Sequence, residues 1–522
     1  MIGKILPKTS VMDMLIRLIS VCLCFLFSMN VFAKQPSAEE FLANQNTIRV
    51  YVDNGPGYGD QSATISAMGH LRELGFTGKF EVIYGNVTSA KVSTLFNLPS
   101  TLPDIYEDTA SNIVFIKMKS HLDNLGKNKI TKVDLGITVS KGSSACGVAL
   151  DDGLSVDENS LMCDNNANFF NTKTFIEFNP YFAKTEPTSI SIFDQKHEVQ
   201  QEDSWKKFYF VPATTLEQAD NYLHKDPAGQ AILAQKPGLD ALMDGIWNKT
   251  INVLPVYGYT IQSDVCNQYG NDSGCFPGNI LQVITAARYA QLSGTKEMHK
   301  PLVVPVFYNY EKDAAELLQL INADDWGKYE MPGAANARAT IKQLSLRNAF
   351  TIANVSDATT NERIRALKPG DVMLLSLGPL PKIVFDGIYT HTDTNVLPQI
   401  REGAGSFNTL VQTGKTHFRC GSKDDLAWEM GYDLIDDAGF KAQLQKLYSA
   451  NGFCDAMRTW QFNPNIYHDL GDSFIAAQDS NSPISKYFMR LKAEANKPDN
   501  DRVRYGIDGA IDLLNNSGVV PR

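Results

Sequence analysis

The sequence predicts a two-domain α/β protein, in which two doubly wound parallel-sheet domains face a cleft, the first carries an irregular insertion, and helices close the chain. Three observations predict it. Short apolar, β-branched runs of strand length alternate with amphipathic helical stretches. The strand–turn–helix pattern starts twice, near residues 47 and 251. The chain has 522 residues, more than one hydrophobic core ordinarily organises.

The amino-terminal segment stands apart. Lys4, Lys8 and Arg17 precede an apolar run from Leu18 to Phe32, and Val31-Phe32-Ala33 supplies small residues at a cleavage position. Residues 1–33 therefore read as a signal peptide, which predicts a secreted or periplasmic protein. The run falls short of the about 18–20 residues of a membrane span, so no span is expected after cleavage. Removing three basic residues together with Asp13 takes the net charge from −10 to −12. An acidic chain is repelled by nucleic acid and by anionic membranes, which argues against both as partners.

Six cysteines follow the signal and fall into three local pairs. An oxidising compartment and short loop lengths favour the disulfides Cys146–Cys163, Cys266–Cys275 and Cys420–Cys454. A metal site is the competing reading, but no C-x-x-C occurs and the histidines are scattered.

The first domain is expected over 34–240. Thr47 to Asp53 is a strand, and Asn54 to Asp60 is a glycine-rich turn. In the helix that follows, Ile65, Met68, Leu71 and Leu74 share one side and Gly75 closes it. Phe80 to Tyr84 is the next strand, completing a βαβ unit. Residues from about 136 to 205, rich in Asn, Asp, Ser and Phe, read as an irregular insertion. Thr215 to Asn248 is helical with Pro and Gly breaks and serves as a connection between domains.

The second domain is expected over 241–460. Its elements are a strand from Ile251 to Tyr259, a helix from Asn279 to Leu292 and a strand from Pro301 to Tyr308. A strand from Phe350 to Val355, a helix from Thr360 to Leu367 and a strand from Val372 to Leu377 follow. Residues 461–522 are expected to be helices that brace the first domain.

Open parallel sheets bind ligands beyond the carboxyl ends of their strands, so the loops after strands carry the candidate chemistry. In the first such loop Gly55, Gly57 and Gly59 allow close backbone approach, with Asp60 and Gln61 at the helix start. Asp60 either caps that helix or acts as a general base toward an acceptor hydroxyl. The second loop is Pro398 to Asn408. Small residues at a helix start, Gly403, Gly405 and Ser406, suit a diphosphate; Arg401 pairs with phosphate, Glu402 accepts ribose hydroxyls, and Asn408 lies at the loop's end. Alternatively, Glu402 and Ser406 only cap the helix.

Tyr257, Gly258 and Thr260 follow the first strand of the second domain and are candidates for contact with a ligand's phosphate or base, although a Tyr at a strand end more often packs; His391, just before the second loop, is a candidate hydrogen-bonding partner or else a surface-loop histidine. His70, late in the first helix, reads as structural. G-x-S-x-G, H-E-x-x-H and Walker sequences are absent, which removes the usual support for serine hydrolase, zincin and P-loop chemistry.

Two motifs carry a family resemblance. Gly57-Tyr58-Gly59-Asp60 with a helix ending Leu71-Arg72-Glu73-Leu74-Gly75, and Arg401 to Ser406 followed by Gly414-Lys415, resemble GT-B glycosyltransferases, in particular the heptosyltransferase-like group. The resemblance covers the two βα cores. It implies two facing Rossmann-like domains, a nucleotide-sugar donor substrate held mainly by the second, and an acceptor (glycan, protein or small molecule) on the first. It also implies no required metal or cofactor, and an acidic base in the first glycine loop, at Asp60. Two other readings stay open: a secreted two-lobed protein that binds a solute or sugar, and a secreted virulence-type factor acting on a host partner.

Overall fold

The computed structural model describes residues 35–52, 59–85, 88–139, 166–178, 188–192, 195–199, 208–257, 278–307, 311–326, 333–401, 404–419, 435, 437–447 and 464–517. The signal segment, all six cysteines after it, and Gly55, Gly57, Gly258, Thr260, Glu402 and Gly403 lie outside the described residues.

Two sheets organise the chain. The first contains β1 (Thr47–Val52), β2 (Lys79–Tyr84), β3 (Ile105–Asp108), β4 (Ile113–Lys117), β5 (Val133–Val139), β6 (Thr172–Phe178), β7 (Thr188–Ile192) and β8 (Gln195–Val199). Their spatial order is β3-β4-β2-β1-β5-β6-β7-β8. The centre is parallel, while β3, β7 and β8 add antiparallel edges.

The second contains β9 (Asn252–Val253), β10 (Leu302–Val306), β11 (Phe350–Asn354), β12 (Val372–Ser376), β13 (Gln399–Arg401) and β14 (His417–Arg419). The order β11-β12-β10-β9 is extended to β13-β14 by parallel bridges from Val253 to Val396 and from Val256 to Ile400. The six strands thus repeat, in order, the placement of the first six, and they are parallel throughout. The double start read from the sequence is a double topology.

Alternation along the strands builds a core on each face. In β1, Ile48, Val50 and Val52 join one cluster and Tyr51 the opposite one; in β10, Leu302, Val304 and Val306 face one side and Val303 the other. Both sheets are therefore covered on both sides, as parallel sheets require.

Several expectations are corrected. Within the stretch 136–205, read as an irregular insertion, the described residues belong to the first sheet: β5 and β6 pair in it and β7 and β8 extend it, while 140–165, 179–187, 193–194 and 200–205 lie outside the described residues. Gly136 is a strand residue of β5, where a Cβ would lie 2.5 Å from the Phe175 ring. Of the strand expected over 251–259, the described residues 251–257 form a two-residue strand, Asn252–Val253, and two further bridges at Val256, to Val306 and Ile400, with Pro255, which has no N–H to donate, between them. The first helix, Gly59–Glu73, buries Ala63, Ala67 and Leu71 more deeply than Ile65.

The connection from Thr215 forms three helices, Leu216–Lys225, Pro227–Gln235 and Gly238–Trp247. The first and last supply core residues to one face of the second sheet, so a boundary at 240 would cut a helix of that lobe. At the carboxyl end, Pro464–Ala476 and Pro483–Ala495 pack in the second lobe, whereas Arg502–Asn516 packs on β6, β7 and Ala38–Ala43 of the first.

The chain crosses between lobes at Phe208 and returns at Asn500, and the two crossings are bonded together. Phe208 N–H donates to the Asn500 carbonyl (2.7 Å) and Arg502 N–H to the Phe208 carbonyl (2.9 Å). His70, read as structural, stacks on Phe210 (3.8 Å between centroids), with Nε2 2.5 Å from Asp501. Asp501 in turn caps Arg502–Asn516.

Candidate functional site

In each sheet the strand order reverses beside its first strand, at β1/β5 and at β9/β13. A crevice opens at the carboxyl end of such a pair. On the first sheet that edge is formed by the ends of β1 and β5, where the Thr138 hydroxyl donates to the Tyr51 carbonyl (3.0 Å). The helix Gly59–Glu73 starts there, with Gly59 exposed, Asp60 in its first turn and Gln61 buried. Among the described residues, a Cβ at Gly59 would meet nothing within 4 Å. The side chain of Asp60 lies outside the described residues.

On the second sheet, Arg401 ends β13 and the helix Ala404–Thr413 begins three residues later. The sequence reading had 398–408 as a loop; Gln399–Arg401 is instead a strand. Its signal is weak because Ile400 is the lone apolar residue among buried polar ones. Arg401 is fully buried, with its guanidinium 4.5 Å from the Phe407 ring centroid, in the first turns of that helix. Ser406 is hydrogen-bonded to the Tyr389 hydroxyl, and burial holds the Tyr389 phenol above its usual range. Burial and the Arg401 charge push His417 well down. Asn408 is buried and faces the first lobe: its Oδ1 accepts from Tyr209 N–H (3.0 Å).

The two switch-point helices pack against each other. Tyr209, on the crossing between lobes, ties them together. It donates its backbone N–H to Asn408 and its hydroxyl to the Ala63 carbonyl (2.5 Å), one turn beyond Asp60. Burial, reinforced by Asp501, raises the Tyr209 phenol well above its usual range, so it stays a neutral donor.

Tyr257 is half-buried at the end of the β9 segment. Its N–H donates to the Ile400 carbonyl (3.0 Å), and its ring meets Phe385 edge-on at 5.2 Å. Sequence reasoning missed Lys236. It follows the helix Pro227–Gln235 and donates from Nζ to the Leu377 carbonyl (2.5 Å) just past β12, with its pKa lowered by burial. No local pattern announces it, because a lysine at a helix end reads as solvated. Gly378 beside it, at φ +61°, is where that lysine and the chain come close.

His391 does not join this group. It precedes β13 and lies with Lys249 and Asp393, residues at the amino edge of the second sheet, where burial and Lys415 lower its pKa. Position before a strand puts a residue at the far edge from a loop that follows one. The structure thus brings the Gly59–Gln61 helix start, Asn408 and the start of Ala404–Thr413 together, leaves Tyr257 and Lys236 on the second lobe's carboxyl edge, and separates His391. Among the described residues no cluster of His, Cys, Asp or Glu could hold a metal, and no helix is long and apolar enough to cross a membrane.

No protein-family model matches the sequence, and no curated protein matches it. Among solved structures the chain is similar to an alpha-glucosyltransferase in complex with UDP-glucose and DNA containing an abasic site. Identity there is 8%, over 90% of this chain and 98% of that one, with a TM-score of 0.35. It is also similar to the α,α-trehalose 6-phosphate synthase of Burkholderia multivorans, at 10% identity over 90% of this chain and 99% of that one, with a TM-score of 0.33. Likeness at this distance carries no chemistry across.

Proposed function

We propose that this protein is a glycosyltransferase that moves a sugar from a nucleotide-sugar donor to an acceptor held between its lobes. One observation carries the reading. At the second switch point a buried guanidinium, Arg401, lies beneath the start of the helix Ala404–Thr413, so two sources of positive potential meet on the edge where an open parallel sheet takes its ligand. A donor diphosphate is the anion that such an edge suits. Arg401 is too deeply buried to grip phosphate as a surface side chain would, and it acts through its field. The direct contacts fall to the backbone amides of the helix start, with Gly405 and Ser406 in its first turn.

Across the gap, Asp60 is the general base of this reading. As the acceptor oxygen bonds to the anomeric carbon, the carboxylate takes the acceptor proton and the nucleoside diphosphate leaves with the electron pair of the broken bond. The developing charge on that leaving group falls on the positive edge, and the transfer inverts the anomeric centre without a metal. Tyr257 borders the donor side, and the acceptor rests against Gly59 and its neighbours. In this proposal the protein works outside the cytoplasm, after removal of residues 1–33.

Thermal unfolding with a panel of nucleoside diphosphates tests the donor side. A ligand present at about one hundred times its Kd adds about 2.7 kcal/mol of stability, which raises Tm by several degrees. A flat response to every nucleotide, together with a shift from free sugars, would make the protein a solute binder. Asp60→Asn is expected to keep that nucleotide response and lower sugar transfer by at least about 100-fold. Unchanged turnover removes Asp60 as base.

A further inference from the structure

At the opposite edge of the second sheet, where β13 and β14 begin, a cavity of about 380 Å³ opens beside the turn that joins the helix Ala404–Thr413 to β14. Its lining includes Asp393, Val396, Lys415, Thr416, Ser485 and Lys492. Gly414, at φ +75°, reverses the chain, and Lys415 follows, folded inward. Lys415 is buried, and its Nζ donates to the Val396 carbonyl at 2.6 Å; both residues line the cavity.

An ammonium has three N–H donors, whereas a neutral amine has two and a lone pair. Lys415 has one carbonyl acceptor and no ion pair among the described residues. The nearest carboxylate, Asp393, is held by Lys249 at 2.9 Å and accepts from the Thr394 amide at 2.7 Å. His391 and Lys492 add no negative charge to the site, and Lys492 donates to the Thr413 carbonyl. A buried charge so placed gives up its proton: burial brings the Lys415 ammonium down to about 7 against the opposing charge of Asp393. A large fraction of the side chain is then free amine at neutral pH, in a space that admits a small molecule.

We propose that Lys415 is an amine nucleophile at the base of this cavity, and that the cavity takes a small polyhydroxy carbonyl compound, of the open-chain sugar class, as an imine. The lone pair of Nζ bonds to the carbonyl carbon, the carbonyl oxygen takes the proton that nitrogen releases, and the carbinolamine loses water to leave the C=N bond. Nothing is oxidised or reduced, and no further reagent enters. Thr392, Thr394, Thr416 and Ser480 bring hydroxyl side chains to the lining, which suits a chain of alcohol groups better than an apolar aldehyde.

The test uses the full chain with D-glyceraldehyde as probe and cyanoborohydride to fix the imine, followed by peptide mass spectrometry. Lys415 is expected to be alkylated at least about ten-fold faster than the exposed Lys486 at pH 7. Propanal, which lacks the hydroxyls, is expected to label Lys415 more slowly than glyceraldehyde. Met489→Trp, which fills the cavity mouth without touching the amine, is expected to cut the Lys415 rate to that of Lys486 or below. Labelling of Lys415 no faster than Lys486 would overturn the proposal, as would a rate indifferent to Met489→Trp. Equal labelling by propanal would remove the assigned ligand class. None of these outcomes depends on sugar transfer at the opposite edge.

Discussion

In the first lobe the sheet buries Arg49 and surrounds it. Nε and Nη2 donate to Glu81 at 3.0 and 2.7 Å, and the remaining N–H groups reach the carbonyls of Phe170, Asn171 and Thr131. In the second lobe, β13 and the start of β14 gather Arg401, Lys415 and His417, all buried, and among the described residues Lys415 has a single carbonyl to donate to. The strand order is the same, but the first lobe pairs its buried cation with a carboxylate, whereas in the second burial pushes Lys415 and His417 toward their neutral forms. Matching topology therefore does not imply matching electrostatics. A buried charge with a full set of acceptors holds the fold together, while one left with few acceptors titrates and is available for chemistry.

Replacing Arg49 by Ala is expected to give the largest effect, because it leaves Glu81 and three carbonyls facing a hole. Loss of one partner of a buried pair costs about 3–5 kcal/mol, which should appear as a lower midpoint in urea at unchanged slope. A loss below about 1 kcal/mol would place Arg49 among ordinary surface cations and erase the contrast between lobes.

Lys415→Met should move stability the other way. The folded pKa of about 7 lies below the unfolded value of 10.5, so between these pH values the unfolded chain binds the extra proton and stability rises with pH. Below pH 7 both states are charged and the native state bears the cost of burial, at most about 5 kcal/mol. The variant should therefore exceed the parent most at pH 6 and lose that advantage as pH climbs toward 10.5. A gain independent of pH, or a loss at pH 6, would mean that the Lys415 ammonium is well accommodated in the fold.

Much of the fold was legible because its main strands are apolar runs bounded by Gly, Pro and Asn. Val372–Ser376 and Leu302–Val306 could be read almost to the residue. What escaped were elements whose identity comes from tertiary packing. β13 is three residues with buried Gln399 and Arg401, which no hydrophobic period reveals. β6 hid in a stretch that composition marks as irregular, and its place in the sheet follows from pairing with β5 across a long excursion. The site was legible to the same degree. The glycine-rich helix starts pointed to the two switch points, but the edge on which His391 falls depends on strand direction. Lys236 and Tyr209 reach the site from segments far away in the chain.

The smallest expected effect tests whether the lobes act as one body. Among the described residues of the crossing, Tyr209 donates to both switch-point helices, through its N–H to Asn408 and its hydroxyl to Ala63. Tyr209→Phe keeps the ring and the backbone bond and removes only the hydroxyl, so the loss should be about 1 kcal/mol, the usual net worth of one hydrogen bond. Its form is more informative than its size. If that hydroxyl couples the lobes, calorimetry should show a broader or more split transition for the variant than for the parent, with the first lobe melting earlier. The paired crossing at Phe208 and Arg502 survives the substitution, so it sets how much coupling remains. A transition that shifts without broadening would assign the coupling to that backbone pairing and leave Tyr209 a local bond of the first lobe.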